Sequence, residues 1–210
     1  MVRRELLMPK PTLFQAIRSL PPRRGAERSF RRTPWIGVLG LATVTCCGQV
    51  TTTHNSSVYT DLSGPSCTLT TENRETGATV HRCKGVSGWD LLVLYDDQRM
   101  SITVVQPDGR THPLDYWDVI TQGYSSLGGK AEWRVGGAGM GRAEPIALIV
   151  RVNASEQQTG GTTKTVSYLA VAKLQGPRVC VTDKIRPTPD SNERARQAAD
   201  NAAATPCLRQ

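Results

Sequence analysis

The side chains best suited to acid–base catalysis lie in one short segment that holds His112, Asp115 and Asp118. Two carboxyl groups beside the aromatic residues Tyr116 and Trp117 match the composition of a glycosidase acid pair. The same residues would serve equally well as a helix cap and a core plug. The hydrolase motifs G-x-S-x-G and H-E-x-x-H and the phosphate-binding P-loop do not occur in the sequence. We therefore rank a hydrolase of unknown class behind non-catalytic functions.

Metal and cofactor sites are not expected from the remaining polar residues. His54 and His81 are isolated in the sequence from each other and from His112, so a three-histidine site would need unrelated segments to converge. Asp96 and Asp97 fall in a predicted hairpin turn, where aspartate is favoured because its side chain bonds nearby backbone. Neither the EF-hand spacing nor the closely spaced cysteines of a zinc site is present.

The basic character of the chain is concentrated at its N-terminus. The formal net charge is +8, but residues 1–33 contain nine basic and two acidic side chains. The remaining residues carry 17 basic and 16 acidic side chains, a net charge of +1. Nucleic-acid binding, which needs a concentrated basic patch, is therefore not expected of the part that follows.

Residues 1–48 have the three parts of a secretory signal peptide. The basic stretch ends at Arg31-Arg32, the uncharged apolar run 35–44 follows, and small residues lead to a cleavage point near Gly48. A ten-residue helix is about 15 Å long, too short to span a bilayer, so the mature protein is predicted to have no transmembrane span. Two special routes stay open: twin-arginine export through Arg31-Arg32, and a lipid anchor on Cys46 or Cys47.

Four cysteines follow the leader, and an even number in an exported chain indicates disulfides. Three pairings exist, and the order along the chain favours Cys67–Cys83 and Cys180–Cys207, which close short loops. In the chain-entropy model, a loop of the first size contributes about 3 kcal/mol.

The pattern after the leader predicts a mainly β (α+β) domain. Residues 49–57 are interpreted as a flexible lead-in, and residues 58–210 as a β-rich domain with a C-terminal helix over 190–205. Short apolar runs separated by turns, without long helices between them, favour a single antiparallel sheet or a sandwich. The predicted strands lie at 91–95, 100–105, 130–135, 145–152, 166–174 and 178–182, and 145–152 is expected to be central and buried on both faces. Residues 114–120 fit a helical turn or a strand.

The C-terminal helix is predicted from its cap and its alanine spacing. Asp190 and Glu193 have the spacing of a capping box. Ala195, Ala198, Ala199, Ala202 and Ala203 form a narrow face of small side chains that would let the helix approach a sheet closely. The Cys180–Cys207 pair would then fasten this helix to the sheet.

Large aromatic side chains are the sequence's best candidates for binding a partner. Trp89, Trp117 and Trp133 are the three tryptophans after the leader. If exposed together they would mark an interface, and if buried they would be core residues.

Several segments resemble a group of small exported bacterial proteins of uncharacterised function. The resemblance spans about residues 57–208 and is carried by segments 59–62, 83–89, 130–135, 147–151, 192–195 and 206–208. It implies export. A small disulfide-linked β domain is also similar, more loosely, to periplasmic lysozyme inhibitors, although no inhibitory motif matches residue by residue.

The sequence thus predicts a periplasmic or secreted, non-catalytic binding or inhibitor-like protein whose partner is an envelope or extracellular protein. The alternatives are an envelope-associated structural protein or lipoprotein and, third, the hydrolase above.

Overall fold

A computed structural model describes residues 55–137, 144–176 and 178–208. All of them belong to one compact unit, Gln49–Gln210. The predicted leader with Cys46 and Cys47, and most of the lead-in with His54, lie outside the described residues. In the described ranges, no helix has the length and apolar character that a membrane crossing requires.

The strands form two antiparallel five-stranded sheets. The long sheet has the order β1-β7-β8-β9-β10 and the short sheet has the order β2-β3-β4-β5-β6. The prediction of a mainly β, antiparallel domain is confirmed, and the single-sheet alternative is wrong. The elements are β1 (Ser56–Asp61), β2 (Cys67–Glu72), β3 (Thr79–Lys84), β4 (Asp90–Asp96), β5 (Arg99–Val105), β6 (Thr111–Pro113), α1 (Tyr116–Val119), β7 (Ser125–Gly136), β8 (Glu144–Gln157), β9 (Thr163–Lys173), β10 (Cys180–Ile185) and α2 (Ser191–Asp200).

The sandwich has one core between the sheets and a second under α2. Because side chains alternate along a strand, Leu148 and Val150 of β8 join the core shared with the short sheet. Ala147 and Ile149 of the same strand face the other way and pack with alanines of α2. The strand predicted to be central and buried on both faces therefore lies in the middle of the long sheet, between β7 and β9.

Two disulfides connect the pairs that the order of the cysteines favours. Cys67 and Cys83 are directly opposite each other on β2 and β3. Cys180 begins β10 and is bonded to Cys207 after α2. The backbone N–H of Leu208 then donates to the carbonyl of Val181, so the C-terminal segment lies against the edge of β10.

The C-terminal helix is shorter than the predicted 190–205. It ends at Asp200, and a short 3-10 turn follows at Ala202–Ala204. Asn201 has ψ of 1°, well away from the helical value near −42°, and its side-chain amide donates to the carbonyl of Gln197. The predicted alanine face is nevertheless used, because Ala195, Ala199 and Ala202 are buried against the long sheet.

A network of charged side chains holds α2 beside β1 and β7. The guanidinium of Arg134, almost fully buried, donates two hydrogen bonds to Asp200 at 2.8 and 2.9 Å and a third to Ser57 at 2.6 Å. Arg196 of α2 donates to both carboxylate oxygens of Glu132 at 2.6 and 3.3 Å. Burial raises the pKa of Glu132 and of Asp200, but the hydrogen bonds from the two arginines and neighbouring side chains outweigh burial, so both pKa values lie below the ordinary range.

Three N-terminal strands were not predicted in this form. β1 begins at Ser56, inside the predicted lead-in, because Ser56–Asp61 pairs with residues 130–135 of β7. β2 and β3 form a hairpin whose first strand is almost entirely solvent-exposed.

Residues 114–120 contain the short helix α1.

Candidate functional site

Trp133, one of the three candidate contact residues, belongs to the core. Its side chain is completely buried, and its indole N–H donates to the Thr60 hydroxyl at 2.9 Å. The backbone of Gly85 approaches its ring so closely that a Cβ at that position would lie 2.5 Å from Cζ2. The expectation that Trp133 contacts a partner is therefore corrected: burial leaves no surface for it to offer.

Trp89 and Trp117 are partly exposed but lie at opposite ends of the sandwich. Trp89 precedes Asp90, which pairs with Val105 at the end of β5. Trp117 lies under the guanidinium of Arg99, the first residue of β5, with 5.8 Å between the guanidinium carbon and the ring centroid. A seven-residue strand is about 20 Å long. The three tryptophans therefore do not form one patch.

Within the described residues, the candidate catalytic residue His112 forms no hydrogen bond through Nε2 to Asp115 or Asp118. His112 lies on the edge strand β6 opposite Val104, and its Nε2 is enclosed with no hydrogen-bond partner in the described part of the chain. Asp115 directly precedes α1 with a φ of 47°, while Asp118 lies exposed within the helix. Neither carboxylate bonds Nε2.

Across residues 55–137, 144–176 and 178–208, no group of three or more metal-ligating side chains is present.

The features expected of a binding site converge at the Trp117 end of the sandwich. The β4–β5 turn, the segment between α1 and β7, and the β8–β9 hairpin border a cavity of about 390 Å³ there. We call this region the hairpin-end surface; it is lined by Asp97, Arg99, Gln122, Gly123, Tyr124, Ser155, Gln157 and Thr163.

The β4–β5 turn that borders the hairpin-end surface is strained. Asp96 pairs with Arg99, so Asp97 and Gln98 form a two-residue hairpin loop. Their φ values are 46° and 57°. Such turns favour Asn-Gly because both positions lie in the left-handed region. A residue held there costs about 1–3 kcal/mol, and this strain is concentrated at functional sites.

Tyr124 is held by its backbone while its ring faces solvent. The side chain is 56% exposed, the largest value among the exposed large hydrophobic residues of the described chain. Its carbonyl accepts from the N–H of Ser155 at 2.8 Å. The preceding Gly123 allows this approach, since a Cβ there would lie 2.5 Å from the Ser155 carbonyl oxygen. The backbone of Tyr124 is thus held in place while its ring stays exposed.

Arg99 connects the turn to the aromatic side chains. Its guanidinium is 3.7 Å from the carboxylate of Asp97 and stacks over Trp117. Its Nε is enclosed and has no hydrogen-bond partner within the described residues. The contact with Trp117 restricts the guanidinium, and Arg99 lines the same cavity as Tyr124.

The sequence singles out Trp117 as a candidate contact and places Asp96 and Asp97 in a turn, but it does not single out Arg99 or Tyr124. A single exposed tyrosine after a short helix has no periodic pattern, and Asp-Gln is not a recognisable type I′ turn.

No protein-family model, curated protein or solved structure matches the chain.

Proposed function

We propose that the protein is an exported, non-catalytic binding protein whose hairpin-end surface contacts a protein partner in the envelope or outside the cell. The observation that carries the proposal is the exposed, backbone-anchored Tyr124, which lines the same cavity as Arg99, the residue that stacks over Trp117. Tyrosine, tryptophan and arginine are the residues that dominate protein–protein binding energy, and they act best when preorganised.

A protein partner fits this surface better than a small molecule does. Pockets for small molecules are lined mainly by apolar side chains, whereas the cavity here is lined mainly by amides, hydroxyls and one charged pair. The opposite charges of Asp97 and Arg99 leave the lining near neutral. A strongly charged ligand is therefore disfavoured at this site.

Export is supported by the composition of the leader and by the two disulfides, which are typical of proteins that fold in an oxidising compartment. Mass spectrometry of the protein isolated from its producing cells tests it. We expect an N-terminus near residue 49. An acylated N-terminal cysteine at position 46 or 47 would indicate the lipoprotein alternative, and an intact Met1 would contradict export.

The binding role is tested by affinity capture from envelope extract with matched baits. The wild-type protein is compared with Tyr124→Ala and with Leu69→Ala, which truncates an exposed side chain (48% accessible) on β2 of the short sheet. Loss of a dominant contact weakens binding by about 30-fold or more. We expect one protein to be retained by wild type and Leu69→Ala and lost with Tyr124→Ala. Equal retention by all three baits, or none above a bait-free control, would contradict the proposal.

A further inference from the structure

A second cavity, of about 250 Å³, lies on the outer face of the long sheet beside the first turns of α2. We call it the α2 pocket. Its charged lining consists of three cations, Lys130, Arg151 and Arg196, and one carboxylate, Glu132. The lining is therefore positive by two charges, in contrast to the hairpin-end surface.

The one carboxylate of the α2 pocket is already engaged. Both oxygens of Glu132 accept hydrogen bonds from Arg196, and Ser57 donates to one of them at 2.6 Å. Lys130 forms an ion pair with Asp61. Two of the three cations thus have acidic partners.

Arg151 has no acidic partner among the described residues. Its guanidinium donates to two neutral oxygens, the Ser167 hydroxyl at 3.0 Å and the Asn192 side-chain carbonyl at 3.3 Å. An arginine carries five N–H donors in a rigid fork that matches a carboxylate. Arg151 is therefore a positioned, charge-unsatisfied fork at the pocket.

Gly128 makes room for this arginine. Gly128 lies where β7 is irregular, and a Cβ at this position would lie 2.8 Å from Cβ of Arg151 and 3.5 Å from its Cγ and Cδ. The glycine lets the stem of Arg151 lie against the β7 backbone. The β7 backbone thus contacts the aliphatic stem of Arg151, while two hydrogen bonds hold its guanidinium.

The floor of the α2 pocket is apolar. Ile149 and Leu169 line it and are 4% and 5% exposed. A cavity of about 250 Å³ is slightly smaller than the ~300–1,000 Å³ typical of ligand sites. The pocket therefore has room for a group the size of one amino-acid residue with an apolar side chain.

We propose that the α2 pocket binds the carboxylate of an amino-acid-sized group, with Arg151 contacting the carboxylate and the Ile149–Leu169 floor contacting a compact apolar side chain. The carboxylate comes from a free small molecule or from the C-terminus of a peptide chain. This site is separate from the hairpin-end surface and does not depend on the function proposed for it.

Binding is measured by NMR titration of the purified protein with both disulfides formed. The probes are N-acetyl-leucine, its carboxamide, acetyl-Ala-Ala-Leu with a free or amidated C-terminus, and inorganic phosphate. A ligand of this size with ordinary efficiency binds with a Kd of about 1 mM. We expect the carboxylates to shift the signals of the α2 pocket and the amides to bind about tenfold more weakly or not at all.

Three variants distinguish a specific contact by Arg151 from an effect of the protein's net positive charge. Arg151→Gln removes the fork, Arg151→Lys keeps the charge without it, and Arg82→Gln removes one charge from the short sheet. We expect both Arg151 variants to lose about tenfold or more in affinity while keeping the wild-type circular dichroism spectrum, and Arg82→Gln to bind as wild type does.

The peptide and amino-acid probes distinguish the source of the carboxylate. Tighter binding of the tripeptide acid than of N-acetyl-leucine indicates a peptide C-terminus, and equal or weaker binding indicates a free carboxylate; both support the site. Absence of carboxylate binding, equal binding of the amides, tighter binding of phosphate, or unchanged affinity in a folded Arg151→Gln protein would each overturn the proposal.

Discussion

An ion pair with two hydrogen bonds joins Arg134 of the long sheet to Asp200 of α2. Asp200→Asn keeps the shape of the side chain but removes its charge and one of its two acceptor oxygens. The buried guanidinium would keep its hydrogen bonds to the Ser57 hydroxyl and the Asn55 carbonyl. The variant therefore leaves the charge of Arg134 uncompensated and one of its N–H groups without its acceptor on residue 200.

Burial sets the size of the expected loss. The Arg134 side chain is 9% exposed and that of Asp200 is 32% exposed. Breaking a fully buried pair costs about 3–5 kcal/mol, and an exposed pair contributes about 0–1 kcal/mol. For this half-buried pair we expect Asp200→Asn to lower the free energy of unfolding by about 2 kcal/mol, or Tm by about 4–8 °C.

The same pair predicts a pH dependence with a definite sign. The pKa of Asp200 in the folded protein lies below its ordinary value, near 3.9 in an unfolded chain. Its contribution is therefore complete above about pH 5 and is lost as the pH falls through the folded-state pKa. The difference in stability between wild type and Asp200→Asn should be largest at neutral pH and shrink below about pH 4.

Urea unfolding across this pH range, followed by circular dichroism, measures the difference. Asp90→Asn is the control, because Asp90 accepts a hydrogen bond from Arg82 Nε at 2.8 Å and lies 2.7 Å from a second guanidinium nitrogen, but the Arg82 side chain is 50% exposed. We expect a loss below about 1 kcal/mol there. Equal losses in the two variants, or a pH-independent difference for Asp200→Asn, would refute the assignment of the stabilisation to the buried pair.

Three further changes test the packing and the strain. Gln98→Gly should relieve the left-handed turn and raise stability by about 0.5–1 kcal/mol; a lower Tm in differential scanning calorimetry would show that the turn is not strained. Gly85→Ala places a Cβ 2.5 Å from Trp133 and should cost about 1–3 kcal/mol in urea unfolding, whereas Gly129→Ala, with no atom within 4 Å, should change little; similar losses would contradict the close packing. Removing the second disulfide as Cys180→Ala/Cys207→Ala opens a loop of separation 27 and should cost about 3.5 kcal/mol, and an unchanged denaturation midpoint would disprove its contribution.

The strands that could be predicted from the sequence are those marked by a local pattern, such as an apolar run or a turn. The 91–95 and 100–105 strands flank a polar turn, and 145–152 is a β-branched run, so their positions were predictable. Strand pairing between distant segments has no such signal. The assignment of strands to the two sheets therefore escaped prediction. The strand β2 escaped it for another reason, because its side chains are polar and exposed and give no apolar alternation.

The candidate sites depend even more than the strands on contacts between residues that are far apart in the sequence. Trp117 could be selected because of its size, but only the fold shows that Trp133 is buried and that Trp117 stacks with Arg99. The Arg134–Asp200 pair joins residues 66 positions apart, and Arg151 is distinguished by having no acidic partner in the part of the chain that the structure describes. Neither property can be read from composition or spacing.

The central claim, that the hairpin-end surface holds a protein partner, is tested most directly by photo-crosslinking in the producing cells. A photoreactive phenylalanine analogue replaces Tyr124 in one strain and Leu69 in another. The structure-based account predicts a light-dependent adduct with one protein at position 124 and none at position 69. The absence of an adduct at 124, or the same adduct at both positions, would contradict it.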